Sequence, residues 1–141
     1  MFNRRLATDY LRRAGARLLA IDALFEAESW ADVVRESQEV VELALKALLR
    51  VSGVEPPRVH DVSDVLEEAQ DSLPASILPH LAQLTSASRR LRRDRELAFY
   101  GAEDLTPSEF YSRADAGEAR VAARNVVSLV ERFAFPSEAE A

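Results

Sequence analysis

The stretch from Trp30 to Gly53, WADVVRESQEVVELALKALLRVSG, decides the fold. Its apolar residues Val33, Val40, Val41, Ala44, Leu45, Leu48 and Val51 recur at the three- and four-residue spacing of an α-helix. They cover more than one narrow seam, so this helix is expected to touch neighbours on two sides, bundle partners and another subunit. Ser29 has the chemistry of an N-cap, with Asp32 in the first turn where a carboxylate complements the helix dipole. Gly53 suits the left-handed position after the last turn, and Pro56-Pro57 forbids continuation. A helix from Ser29 to about Ser52 follows.

Outward from this element the pattern stays helical. A first helix is expected from Arg4 to Glu28, burying Leu11, Ala14, Leu18, Ile21 and Phe25. A short third helix from about Asp61 to Asp71 turns Val62, Val65 and Leu66 inward. Leu73 to Pro79 reads as a connector, because Pro74 and Pro79 fit first-turn positions. A fourth helix then reaches about Tyr100 with Leu81, Leu84, Leu91 and Leu97 on its core side, and Gly101 ends it. Thr106-Pro107-Ser108-Glu109 has the form of a capping box and predicts one short turn through Tyr111. Ser112 and Asp115 start a last helix carrying Ala119, Ala122, Val126, Val130 and Phe133, and a frayed tail is expected from Pro136. The expected fold is all-α, an up-and-down bundle of about five helices in a single domain over residues 1–141.

Composition narrows the function classes. The 141 residues are 48 % hydrophobic and 30 % charged, which suits one folded globular unit. No window approaches a membrane span, and the N-terminal residues form no signal-peptide core, so a cytoplasmic location is expected. Cysteine is absent, which excludes disulfides, thiolate metal sites and a cysteine nucleophile. Neither histidine stands in a metal-binding spacing, so no metal and no cofactor is expected. A net charge of −6 argues against a general electrostatic grip on nucleic acid. Of the 18 basic residues all but Lys46 are arginine. This excess serves phosphate contacts or reflects a GC-rich coding sequence, and carries no functional weight.

The residues Glu36-Ser-Gln-Glu-Val-Val-Glu-Leu-Ala-Leu-Lys-Ala-Leu-Leu49, then Gly53 to Pro57, then His60-Asp61-Val62, closely resemble the HEPN family (higher eukaryotes and prokaryotes nucleotide-binding domain). The later run Arg92-Arg-Asp-Arg-Glu-Leu-Ala-Phe-Tyr-Gly101 resembles a subset of it. The resemblance implies a bundle of four or five helices that dimerises through two of them. It also implies a two-component, toxin–antitoxin-like module with a minimal nucleotidyltransferase as partner protein, and nucleotide or RNA bound in a dimer cleft. Other members of the family are metal-independent ribonucleases that use an arginine followed after four to six residues by histidine.

That ribonuclease motif is absent. The positions that would need arginine are Gly53, Val54 and Glu55 ahead of His60, and Leu73, Pro74 and Ala75 ahead of His80. Where the resemblance places the motif, Arg95 is followed by Tyr100. A phenol is a poor base at neutral pH, although it donates hydrogen bonds and stacks on bases. Ribonuclease activity is therefore expected to be reduced or absent. Arg95 and Tyr100 are the catalytic candidates if the chain is a divergent endoribonuclease; a helical protein–protein adaptor is the further alternative.

Arg92, Arg93 and Arg95 are the candidate nucleotide- or RNA-binding residues, in a segment that carries five arginines and two acids between Arg89 and Glu96. The competing reading is a solvated helix face with Arg92 and Glu96 paired. Glu39, Glu42 and Lys46 are candidate polar residues of the cleft or dimer helix, where Glu42 and Lys46 also suit an ordinary surface pair. His60 is expected to cap or hinge the third helix, and His80 to lie on the surface. Trp30 reads as a packing anchor at a helix start. Phe110 and Tyr111 are expected to fold the Ala102 to Ser112 loop onto the bundle.

Overall fold

The computed structural model describes residues 4–100 and 106–136, and for residues 93–100 the backbone alone. Six α-helices are described: α1 (Arg4–Glu26), α2 (Trp30–Val51), α3 (Ser63–Glu68), α4 (Leu81–Tyr100), α5 (Pro107–Phe110) and α6 (Arg113–Ala134). Two 3-10 turns, Gln70–Ser72 and Ala75–His80, join α3 to α4. Four helices are long and no strand occurs among the described residues, so the architecture is the all-α bundle that the periodicity demands.

Helix α2 is the axis of the bundle. Of its residues only Asp32 is exposed. Val33, Val40, Ala44, Leu45, Leu48 and Leu49 are fully buried, and α1, α4 and α6 all pack against it. Each buried leucine of this kind contributes roughly 1.5–3 kcal/mol relative to exposure. The wide apolar face is therefore consumed inside the protomer. A helix with neighbours on several sides within one protomer needs this pattern, which accounts for its width.

The helix ends follow local chemistry. After α2, Gly53 takes the left-handed conformation (φ 81°). Its N–H donates to the Arg50 carbonyl, and the Val54 N–H donates back to Leu49 at 2.9 Å. These are the two bonds of a Schellman stop. The α1–α2 turn repeats the geometry with Glu28 in the glycine position, at φ 57°, and with the Ser29 N–H returned to Leu24. Both capping boxes form, Thr106 with Glu109 and Ser112 with Asp115. Ser29 precedes α2 as expected, but its hydroxyl donates to the Asp32 carboxylate at 2.7 Å and caps no backbone group.

Polar contacts fix how α1 sits. Arg17 pairs with Glu36 at 2.7 Å across the α1–α2 hairpin. Asp22 receives both Arg120 and Arg124 from α6. At the turn, Phe25 meets Trp30 edge-on at 5.0 Å, and the guanidinium groups of Arg120 and Arg113 stand over the Phe25 ring. Trp30 thus anchors the start of α2. Tyr111 is buried and ties α5 to the bundle, whereas Phe110 beside it is exposed. His80 is not a plain surface residue, because its ring stacks on Phe133 at 4.7 Å.

Candidate functional site: a polar node joining α2, α3 and α4

The connector after α2 returns along that helix, and the place where it crosses is polar. Its centre is Glu42, on the second half of α2. One carboxylate oxygen accepts from Lys46 Nζ at 3.1 Å, one helical turn later. The other lies 2.7 Å from His60 Nδ1. The side chains of Glu42 and Lys46 are each only 14 % exposed, against 45 % for His60. The i,i+4 pair legible in the sequence is thus sheltered, and it belongs to a three-membered group.

Four further contacts hold His60 and the two residues after it in place. The buried Gln38 side chain, one turn before Glu42, donates its amide N–H to the His60 carbonyl at 3.4 Å. Asp61 Oδ1 accepts from the Ser63 N–H and from the Ser88 hydroxyl, both at 2.9 Å. Ser88 Oγ in turn accepts from the Val62 N–H. Capping of α3 thus falls to Asp61, and His60 is tied sideways to α2. The third helix stops at Glu68, with a 3-10 turn completing the stretch to Ser72.

Electrostatics favour a charged Asp61. Partial burial would by itself raise its pKa, but hydrogen bonds from the Ser63 side chain and N–H, the Ser88 hydroxyl and the nearby Arg89 charge outweigh it. The carboxyl ends below its ordinary value of 3.8. Arg89 is held charged by its hydrogen bonds to Glu67 and Asp64 on α3, at 2.8 and 3.3 Å. Of the Arg-rich segment, then, Arg89 braces α3.

Chemically, the node presents an imidazole fixed through Nδ1. A carboxylate that accepts from Nδ1 leaves Nε2 as the nitrogen able to accept or pass a proton. No hydrogen bond engages Nε2 among the described residues.

The remaining sequence candidates lie elsewhere. Glu39 and Arg92 are partly buried, on α2 and α4, and each has an interaction partner. The side chains of Arg93, Arg95, Leu97 and Tyr100 lie outside the described residues, as do residues 101–105 of the loop and the tail from 137. The structure therefore brings Glu42 and Lys46 together and adds His60, Gln38, Asp61 and Ser88. Sequence reasoning left out Gln38 and Ser88, because buried polar residues do not mark a hydrophobic periodicity. Among the described residues, no three histidine or carboxylate side chains converge as a metal-binding set, and no helix is long and apolar enough to cross a membrane.

The blocks that build this node, the α2 helix, the Gly53–Pro57 connector and His60-Asp61, are those that resemble a known family, and the family model for the HEPN domain matches residues 7–133. The chain belongs to the HEPN family. A Methanocaldococcus jannaschii protein named "Putative toxin MJ1304" is 29 % identical over 138 residues, covering 94 % of this chain and 90 % of that protein. No solved structure matches significantly. Within this HEPN domain, the matched region runs from the first buried residue of α1, Ala7, to Phe133 near the end of α6.

Proposed function

We propose that this HEPN domain is the toxin-type subunit of a two-component module in the cytoplasm, paired with a nucleotidyltransferase as its second protein. One observation carries the reading: the family match spans nearly the whole bundle, and the relative over the same length carries a toxin's name. The reading extends to a bound nucleotide or RNA, contacted by the arginines of α4. Arg90 is exposed on that helix, while Arg89 is occupied by two acids of α3. An arginine free of acidic partners is the better phosphate ligand.

Inducible expression in a bacterial host, alone and with a nucleotidyltransferase encoded beside it, tests the proposal, and the absence of any such gene beside it counts against the reading. Growth arrest that co-expression relieves, with the two proteins co-purifying, is the expected result. Unimpaired growth, or arrest indifferent to the partner, overturns it.

A further inference from the structure

Helix α1 lies at the edge of the bundle, packed against α2 and α6. Its outward residues Arg5, Arg12, Ala16, Leu19, Ala23 and Glu26 are all exposed. Leu19 is 73 % exposed, more than any other large apolar side chain among the described residues. Its neighbours one helical turn away on this face are Gly15, Ala16 and Ala23. A Cβ built on Gly15 would meet nothing within 4 Å, so the protomer gives no reason for a glycine inside this helix. One projecting side chain thus stands among hollows, the relief that a second helix packs into.

The middle of the face is also stripped of charge. Between Arg13 and Glu26 the charged residues of α1 are Arg17 and Asp22. Arg17 is drawn to Glu36 of α2, and Asp22 to Arg120 and Arg124 of α6. From Ala16 to Ala23 the outward side of α1 is therefore apolar, where the solvated side of an edge helix is ordinarily polar.

The two ends of the face supply an independent observation. Helices ordinarily carry acids in the first turn and bases in the last, where each complements the helix dipole. Helix α2 follows this order with Asp32 and Arg50, and α6 with Asp115 and Arg132. Helix α1 reverses it: Arg4 and Arg5 begin the helix and Glu26 ends it. Neither Arg5 nor Glu26 forms an ion pair among the described residues. This order opposes the dipole of α1 itself. It complements a neighbouring helix of ordinary order that runs in the same direction, because acids then meet Arg5 and Arg12, and bases meet Glu26 and Glu28.

Size decides between a helix and a whole globular surface. The 23 residues of α1 offer a strip about 35 Å long and about 10 Å wide, roughly 350 Å². That is less than half of the ~800 Å² that each partner gives to a stable interface between globular surfaces, and it matches one helix laid lengthwise.

We infer that the outer face of α1 seats an amphipathic helix of a partner protein, parallel to α1, with a hollow for Leu19, an acidic first turn and a basic last turn. That a partner exists rests on the two-protein module; the docking face and the direction of the helix rest on α1.

Calorimetric titration of the full chain with the purified nucleotidyltransferase encoded beside it tests the assignment. Leu19→Glu, the double variant Arg5→Glu/Arg12→Glu, and Glu26→Lys should each raise the dissociation constant at least about tenfold. Their helical circular dichroism should stay unchanged, because these side chains point to solvent. Val121→Glu, at an exposed position of α6, should bind as wild type does. If the complex forms and the α1 variants bind like wild type, the docking face is overturned while the module stands. Tighter binding by either charge variant overturns the direction of the helix. No complex with wild type removes the module and the docking face together. Light scattering supplies the remaining outcome: wild type that self-associates and loses this on Leu19→Glu assigns the face to a second copy, and overturns the inference.

Discussion

His60 Nδ1 and Glu42 Oε1 lie 2.7 Å apart although 18 residues separate them in the chain. The contact closes the Gly53–Pro57 connector onto the helix it has just left. Because the same carboxylate also holds Lys46, removing it strands a sheltered ammonium group as well as an imidazole. Glu42→Ala is therefore expected to destabilise the domain by about 1–3 kcal/mol, and His60→Ala, at a half-exposed position, by less than about 1 kcal/mol. Urea unfolding of the two variants measures the difference, and equal losses would show that the carboxylate is not the centre of the group.

Asp61 gives the domain a specific acid sensitivity. Its folded-state pKa lies below the ordinary 3.8, so its stabilisation is fully present above that value. It is lost as pH falls through the lower, folded value. Asp61→Asn should lower stability at neutral pH and flatten the acid limb of the stability curve. Urea midpoints collected from neutral pH down to about pH 2 report both; an acid limb as steep as in wild type would refute the assignment.

Ser88 is the buried half of the same cap. Its hydroxyl is donor to Asp61 and acceptor from the Val62 N–H, so Ser88→Ala leaves a buried N–H without a partner. A loss of about 1–2 kcal/mol is expected, and it should be non-additive with Asp61→Asn in a double-mutant cycle. Additive losses would mean that the two side chains act separately.

At the α1–α2 turn, Glu28 holds the left-handed conformation that disfavours a side chain. Glu28→Gly relieves that conformation at the cost of a more flexible unfolded chain, with a net gain of about 0.5–1 kcal/mol. The thermal midpoint should rise by a few degrees, on the order of 2–5 °C for a domain of this size. A fall would show that the Glu28 side chain contributes something the turn geometry does not reveal.

Leu45, fully buried on α2, is the control for the core. Leu45→Ala should cost about 2–5 kcal/mol. A cost below that range would mean that the centre of the bundle is looser than its burial implies.

Much of this was legible in the sequence because it is local. The periodicity of α2, the stop at Gly53 and the capping boxes at Thr106 and Ser112 depend on residues a few positions apart, and each appears as read. Ser29 differs from the expectation because its backbone (ψ 71°) lacks the extended geometry that Ser112 has (ψ 171°), so its hydroxyl donates to Asp32 but accepts from no helix N–H. The His60–Glu42 contact was illegible for a different reason. Both residues stand in the family-like blocks, but only the path of the connector brings them together. Phe110 and Tyr111 are adjacent aromatics, and nothing in their composition says that Tyr111 alone is buried. The width of the α2 stripe was visible, while its cause, a central position in one protomer, required the positions of α1, α4 and α6.

Enclosure of α2 also decides how this domain can be addressed from outside. Its backbone amides become reachable only when neighbouring helices come away together, so they should exchange with solvent at a rate set by global unfolding, and the short α5 turn much sooner. A protein that restrains this chain cannot work by peeling out its central helix without meeting the full unfolding free energy. Recognition is left to the outer faces of α1, α4 and α6, which a partner can grasp while the bundle stays intact.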